Sequence, residues 1–321
     1  MELRMLKLVF VCALSVLVPF THANAIEPYE YAQTSSLASK ALLLDVAEIG
    51  GRLVAVGEYG HIIYSDDRGE NWTQAKDVPT RNTITSITFL DDKVGFAVGH
   101  DATILKTEDG GESWSLKYIE RRGENPLFGL QFSSTTYGVA VGAFSTVMET
   151  TDGGETWAQR PLIEGGYDDF HLNGLFKDAT GSLYIPAEFG VVYKSKDGGQ
   201  TFTAIQTAYE GSFWGGMALA NDNLLIWGMR GNAYVSRDSG RSWRRSETNT
   251  DRSISGGTQL ANGTILLTGL SGLVLLSKDN GRTFDANVRA DRLSFATVSS
   301  KSDGEVLLYG DPGVLPHQLA N

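Results

Sequence analysis

Residues 150–157 read TTDGGETW. Five other stretches follow the same pattern, S/T-x-D-x-G-x-x-W/F: SDDRGENW (65–72), TEDGGESW (107–114), SKDGGQTF (195–202), SRDSGRSW (236–243) and SKDNGRTF (277–284). Their aspartates are Asp67, Asp109, Asp152, Asp197, Asp238 and Asp279, at steps of 42, 43, 45, 41 and 41 residues. A period of about 40 residues with strand-like content marks stacked supersecondary units of the propeller kind.

A second signal runs in phase with the first. Before each box stands a turn and an apolar strand, as in GEYGHIIYS (57–65), GHDATILKT (99–107), GAFSTVMET (142–150) and AEFGVVYKS (187–195). A seventh copy, GDPGVLPHQ (310–318), has no box after it. Within one unit the apolar runs ITSITFL, VGFAVG, TILKTED and WSLKYIE read as four short strands with tight polar connections. The expected fold is all-β: a seven-bladed β-propeller of four-stranded antiparallel blades, which hides most sheet edges. The last unit lacks its outer strand, and the N-terminal stretch around YEYAQTS (29–35) is expected to supply it and close the ring.

The first 25 residues have a basic start (Arg4, Lys7), an apolar run from Leu8 to Phe20 and the small-residue end Ala23-Asn24-Ala25. This is the layout of a secretory signal peptide cleaved after Ala25, with an uncleaved anchor as the alternative. Residues 26–321 then form a single β-propeller domain in a periplasmic or otherwise secreted protein that does not insert into the membrane. The only cysteine, Cys12, lies inside the apolar run. The mature chain is left without disulfide, thiol catalysis or a sulfur metal site. Removing Arg4, Lys7 and Glu2 takes the formal charge from −11 to −12. An acidic surface excludes nucleic acid as a partner class and favours proteins or neutral ligands.

In the box, the aspartate accepts backbone N–H groups, the invariant glycine suits a positive φ, and the Trp or Phe buries its ring. The box occupies the turn between the third and fourth strands, on the side away from the blade-linking loops. Six such acids dispersed around a ring cannot converge on one substrate, so they read as structural. Calcium would need 6–8 oxygens where each box offers one carboxylate.

Loops between blades share a face with the turns between second and third strands. On that face lie the candidate partner-binding residues Arg121, Arg122, Tyr167, Asp168, Asp169, Phe170, Tyr209, Phe213 and Trp214, joined by Tyr59, Phe144, Phe189 and Arg230 from the turns. Aromatic residues with arginine are typical of protein–protein hot spots. The competing reading makes Phe170, Phe213 and Trp214 core plugs and the Arg121-Arg122 and Asp168-Asp169 pairs solvated loops. No nucleophile elbow, nucleotide fingerprint or H-x-x-x-H is present, and the four mature histidines are scattered. No catalytic residue, metal or cofactor is expected.

The S-x-D-x-G-x-T-W repeat resembles the Asp-box, or BNR, repeat. The longer units DDKVGFAVGHDATILKTEDGGESW (91–114) and STTYGVAVGAFSTVMETTDGGETW (134–157) resemble the seven-bladed photosystem II stability/assembly-factor family. Blade four departs from the pattern at Ala187, where the other units carry glycine. The resemblance implies an exported, non-enzymatic scaffold that binds membrane-protein subunits during assembly; by itself the chain is expected to be a monomer. In a non-photosynthetic bacterium the corresponding expectation is an accessory protein of RND-type transporters. A glycan-binding or sialidase-like propeller is the alternative, though no RIP-type arginine motif precedes the first box.

Overall fold

The computed structural model describes residues 30–121, 123, 125–165, 169–302 and 304–319. Arg122, Tyr167, Asp168 and the expected signal peptide lie outside the described residues. Seven antiparallel sheets follow one another along the chain, spanning residues 43–74, 84–118, 127–160, 176–206, 213–245, 254–288 and 295–318. In each sheet the strand order is the chain order, so every blade is a simple meander. In blade one the strands are Leu43–Ile49, Arg52–Gly57, Ile62–Ser65 and Thr73–Gln74.

The second strand is the sandwiched one and reads as a continuous apolar run. Gly95–Gly99, Gly138–Gly142, Leu224–Gly228 and Ile265–Gly269 are buried at every residue. Cores form between neighbouring blades: Phe96, Val98 and Ile104 of blade two pack with Leu130, Phe132, Met148 and Trp157 of blade three. Each blade thus completes the hydrophobic face of the next, which is why the unit must repeat.

The inner strands carry a shared irregularity. Pairing with the second strand shifts register at Leu43/Asp45, Ile84/Ser86, Phe213/Gly215, Ile254/Gly256 and Phe295/Thr297. A bulge frees a residue from its own ladder and re-aims it. Thr85 uses that freedom to donate its hydroxyl to the Leu127 carbonyl of the next blade, and Ser255 does the same to Phe295. In blade four Asn173 makes the corresponding bond to the Phe213 carbonyl, at 2.8 Å.

The glycine that ends most second strands has an extended φ, so freedom of φ does not explain it. A Cβ on Gly57 would fall 1.9 Å from the Leu42 carbonyl oxygen, and one on Gly142 2.1 Å from that of Pro126. Close approach of two backbones excludes a side chain there. Blade four tolerates Ala187 because its inner strand is displaced: the regular strand is only Phe176–Lys177, and Leu172 meets Ala187 as an isolated bridge.

Blade seven has three strands among the described residues, Phe295–Ser302, Glu305–Gly310 and Gly313–Gln318. The closing strand expected from 29–35 is not found there; residues 30–35 lie along blade one without strand structure. Their polar groups are engaged in blade one: Ala32 N–H donates to Val78 O, Ser35 N–H to Gln74 Oε1, and Gln74 Nε2 to Gln33 O. Side-chain packing closes the ring instead. Leu43, Leu53, Ala55 and Ile63 of blade one share a core with Leu307 and Tyr309 of blade seven. Trp72 meets Tyr309 edge-on at 6.1 Å, and Lys301 pairs with Glu70 at 2.9 Å. Pro316 deprives the outer strand of blade seven of one N–H, a device that blunts an open edge.

Candidate functional site

The six boxes form the turns after the third strands. In the third copy, Asp152 Oδ1 accepts from the Thr150 hydroxyl at 2.8 Å and from the N–H groups of Glu155 and Thr156. Its Oδ2 accepts from the Thr156 hydroxyl at 2.6 Å. The Thr150 oxygen in turn receives the Gly154 N–H, and the Trp157 indole donates to Gly154 O. Asp67, Asp109, Asp197, Asp238 and Asp279 repeat the aspartate clasp with their own neighbours. The Thr156 hydroxyl and N–H, with the Thr150 hydroxyl, hold the Asp152 carboxyl down to about 2. These acids are saturated turn anchors spread around the rim.

The opposite face differs. Here the turns between second and third strands place their middle residue in the left-handed region: Tyr59, Asp101, Phe144, Phe189, Arg230 and Ser271 have φ between 53° and 58°. An L-residue there costs about 1–2 kcal/mol, least for Asn or Asp. Phe and Tyr are poor choices for the backbone, and they are not there for the core either. Tyr59, Phe144 and Phe189 are 60, 49 and 58% exposed. With Leu270 they are four of the six exposed large hydrophobics among the described residues; the other two, Tyr31 and Leu37, belong to the N-terminal segment. Local preference and burial both argue against rings at these positions, which leaves them facing solvent.

Blades three and four join them into a band. Phe144 lies edge-on to His171 at 5.0 Å, and Phe170 lies 5.1 Å from Phe189. His171 Nδ1 accepts the Phe144 N–H, and its own N–H goes to Glu188 Oε2 at 2.9 Å. Phe170 is half-buried on the blade three–four core and also touches exposed Phe189. Asp169 and Arg121 are exposed beside this band. His171 and Phe128, 6.5 Å apart, complete it. In the sequence His171 is one of four scattered histidines, and only the turn that presents Phe144 brings it into the band.

A second group forms on blade five. Tyr209, Glu210, Arg230, Asn232, Tyr234 and Arg245 line a cavity of about 570 Å³. The Tyr209 hydroxyl donates to Met229 O at 3.2 Å, and burial pushes its phenol pKa up. Neither Arg230 nor Arg245 makes an ion pair among the described residues. Tyr209 and Arg230 were expected on this face; Arg245 was not, and only the pairing of Tyr234 with Arg245 reveals it.

Phe213 is a correction. It opens the inner strand Phe213–Ala218 and is fully buried against Tyr209 and Tyr234, so it is a core plug and not a surface contact. Trp214, at the bulge beside it, is half-buried. The candidate site is therefore a rim of exposed aromatics over blades three and four with Arg230 and Arg245 on blade five, and Tyr59 contributes from blade one.

The sequence profile of the photosynthesis system II assembly factor YCF48 matches residues 65–128 and 119–264. Among solved structures the fold is similar to YCF48 bound to a D1 peptide, with a TM-score of 0.70 at 18% identity over 92% of this chain and 97% of that one. It is also similar to YCF48 from Cyanidioschyzon merolae, with a TM-score of 0.68 at 13% identity over 91 and 99% of the two chains. Virginiamycin B lyase from Staphylococcus aureus gives a TM-score of 0.72 at 9% identity over 88 and 96%. At such identities these likenesses speak for the fold alone. No curated protein sequence matches the chain.

Proposed function

The chain belongs to the photosynthesis system II assembly factor YCF48 family, and from that premise we propose that it is an exported, non-enzymatic scaffold that holds a segment of a membrane-protein subunit on its loop face. The observation that carries the reading is the set of exposed rings at left-handed turn tips, Tyr59, Phe144 and Phe189. A fold-level neighbour has been captured with a D1 peptide, which supports a polypeptide as the ligand class. The basic start, apolar run and small-residue end of residues 1–25 support export. In a photosynthetic cell the partner is a photosystem subunit; elsewhere an RND-type transporter is the corresponding membrane complex.

The test is crosslinking and affinity capture of the tagged full chain from the membranes of its own cell. A membrane-protein subunit should be recovered with the wild type and lost with Phe144→Ser/Phe189→Ser, at unchanged melting temperature. Recovery of no membrane protein, or equal recovery with the double variant, would remove the reading.

A further inference from the structure

Lys106 and Lys194 stand at the same place in two blades, directly before the Thr or Ser that opens the box. Both are buried, at 8 and 9% exposure. Both ammonium groups sit near an aromatic ring of their own blade, Lys106 at 5.8 Å from Phe96 and Lys194 at 5.2 Å from Tyr184. Their charged surroundings differ.

Lys106 is neutralised from two sides. It pairs with Glu155 at 2.5 Å and with Glu108 at 3.2 Å. Glu108 is the second residue of the box in the lysine's own blade, and Glu155 the sixth residue of the box in the next. At the junction of blades four and five those two positions are Lys196 and Arg241. Both glutamates have been replaced by cations around an equally buried lysine. Among the described residues Lys194 donates one hydrogen bond, to the Ser239 carbonyl. Burial disfavours both ammoniums; hydrogen bonds to Glu155 and Glu108 more than offset it at Lys106, whereas at Lys194 burial and then Lys196 hold the pKa below the usual lysine range.

A cavity of about 290 Å³ opens there, lined by Lys194, Lys196, Arg241, Thr203 and Asp197 among others. Asp197 is the one carboxylate in its wall, and its oxygens already accept from the Ser195 and Thr201 hydroxyls and the Thr201 N–H. Among the described residues neither Lys196 nor Arg241 forms an ion pair. Lys196 and Arg241 both disfavour the Lys194 ammonium, Asp178 and Asp238 oppose them from outside the cavity wall, and an anion held between the three cations would relieve the repulsion. Separate ammonium, guanidinium and hydroxyl donors around a small hollow suit a group with three or four acceptor oxygens.

We infer that this cavity between blades four and five is an oxyanion site that takes a phosphate group, free or as the terminal phosphate of a larger molecule. It lies on the box side of the propeller, away from the exposed aromatics, and stands independently of the partner reading.

The test is thermal unfolding of the full chain during titration with inorganic phosphate, with chloride holding the ionic strength constant. The double variant Lys196→Glu/Arg241→Glu rebuilds the arrangement of the Lys106 junction. The wild type should show a saturable rise in melting temperature. The double variant should need about ten-fold more phosphate or more for the same rise, while melting no lower than the wild type in chloride. Lys196→Gln, at an exposed position, gives an intermediate loss and serves if the double variant folds poorly. Co-sedimentation with phosphatidylcholine vesicles carrying phosphatidate separates the sources: binding abolished in the variants, without a response to inorganic phosphate, assigns the site to a phosphate ester. Equal phosphate responses in wild type and variants, or no response above chloride with no vesicle binding, would overturn the assignment.

Discussion

Gly154, in the box of blade three, lies against the ring of Phe96 in blade two so closely that a Cβ on it would fall 2.2 Å from Phe96 Cε1. The box glycines of other blades meet their preceding neighbours in the same way: Gly69 meets Leu307, Gly111 meets Val54 and Gly240 meets Tyr184. The box is therefore a contact between blades as well as a turn within one.

Gly154→Ala should destabilise the fold by about 1–3 kcal/mol through overpacking, beyond the roughly 1 kcal/mol that Ala costs at a positive φ. Gly181 also has a positive φ, of 85°, but nothing within 4 Å of a Cβ. Gly181→Ala should lose only the smaller amount. Denaturant unfolding of both variants checks this, and equal losses would show that the blade contact contributes nothing.

Phe189 sits at φ 53° and is mostly exposed. Phe189→Gly relieves that backbone strain and should leave stability unchanged or raise it by up to about 1 kcal/mol. The same change should weaken capture of the membrane partner. A variant that melts clearly lower would show that the contact with Phe170 supports the fold more than the strain opposes it.

Asp45 joins the inner strands of blades one and two. Its Oδ1 accepts the Val46 N–H, and its Oδ2 accepts the Ser86 hydroxyl at 2.9 Å and the Ile87 N–H at 3.0 Å. Burial pushes its pKa up to about 6, against the pull of those bonds. The folded value lies above the unfolded one of about 3.9, so the penalty on the ionised form is full above the folded pKa and disappears as pH falls toward the unfolded one. The stability of the wild type relative to Asp45→Asn should therefore rise on the order of 1–2 kcal/mol from about pH 7.5 to about pH 4. Denaturant curves at the two pH values check it; a constant difference would mean that Asp45 titrates normally.

The box aspartates respond in the opposite sense. Asp67, Asp152, Asp197, Asp238 and Asp279 have pKa values lowered to about 2, and Asp109 is lowered as well. Their contribution is present above about pH 4 and is lost as pH falls through about 2. Asp152→Asn should melt below the wild type near neutrality and converge with it in strong acid. Melting curves that stay parallel down to about pH 2 would contradict the turn-anchor role.

The blades were legible because the chain repeats its instructions. The phase between the box and the preceding strand places every turn, and the invariant spacing of Thr150, Asp152 and Gly154 dictates a local hydrogen-bonded clasp. The loop face was legible in part. Phe144, Phe189 and Tyr59 could be assigned to turn tips by counting from the boxes. Phe213 could not be separated from them, since one position along the chain decides between the core and the bulge at Trp214. The route of residues 30–35 was not legible, because it depends on the Gln74 side chain and the Val78 carbonyl, distant in sequence.

Local and periodic features were settled by the sequence itself: most strands, the turns, the repeat number and the saturation of the box acids. The turns and clasps depend on groups a few residues apart, where chain geometry leaves few options, and the repeat number on the regular spacing of the boxes. Tertiary structure alone decided which residues meet across blade junctions. Lys106 and Lys194 occupy equivalent sequence positions, yet one faces Glu155 and the other Arg241 from the following box. Charge acts through space, and the residue that neutralises or repels a buried lysine is about 45–50 residues away, brought near only by the packing of one blade on the next.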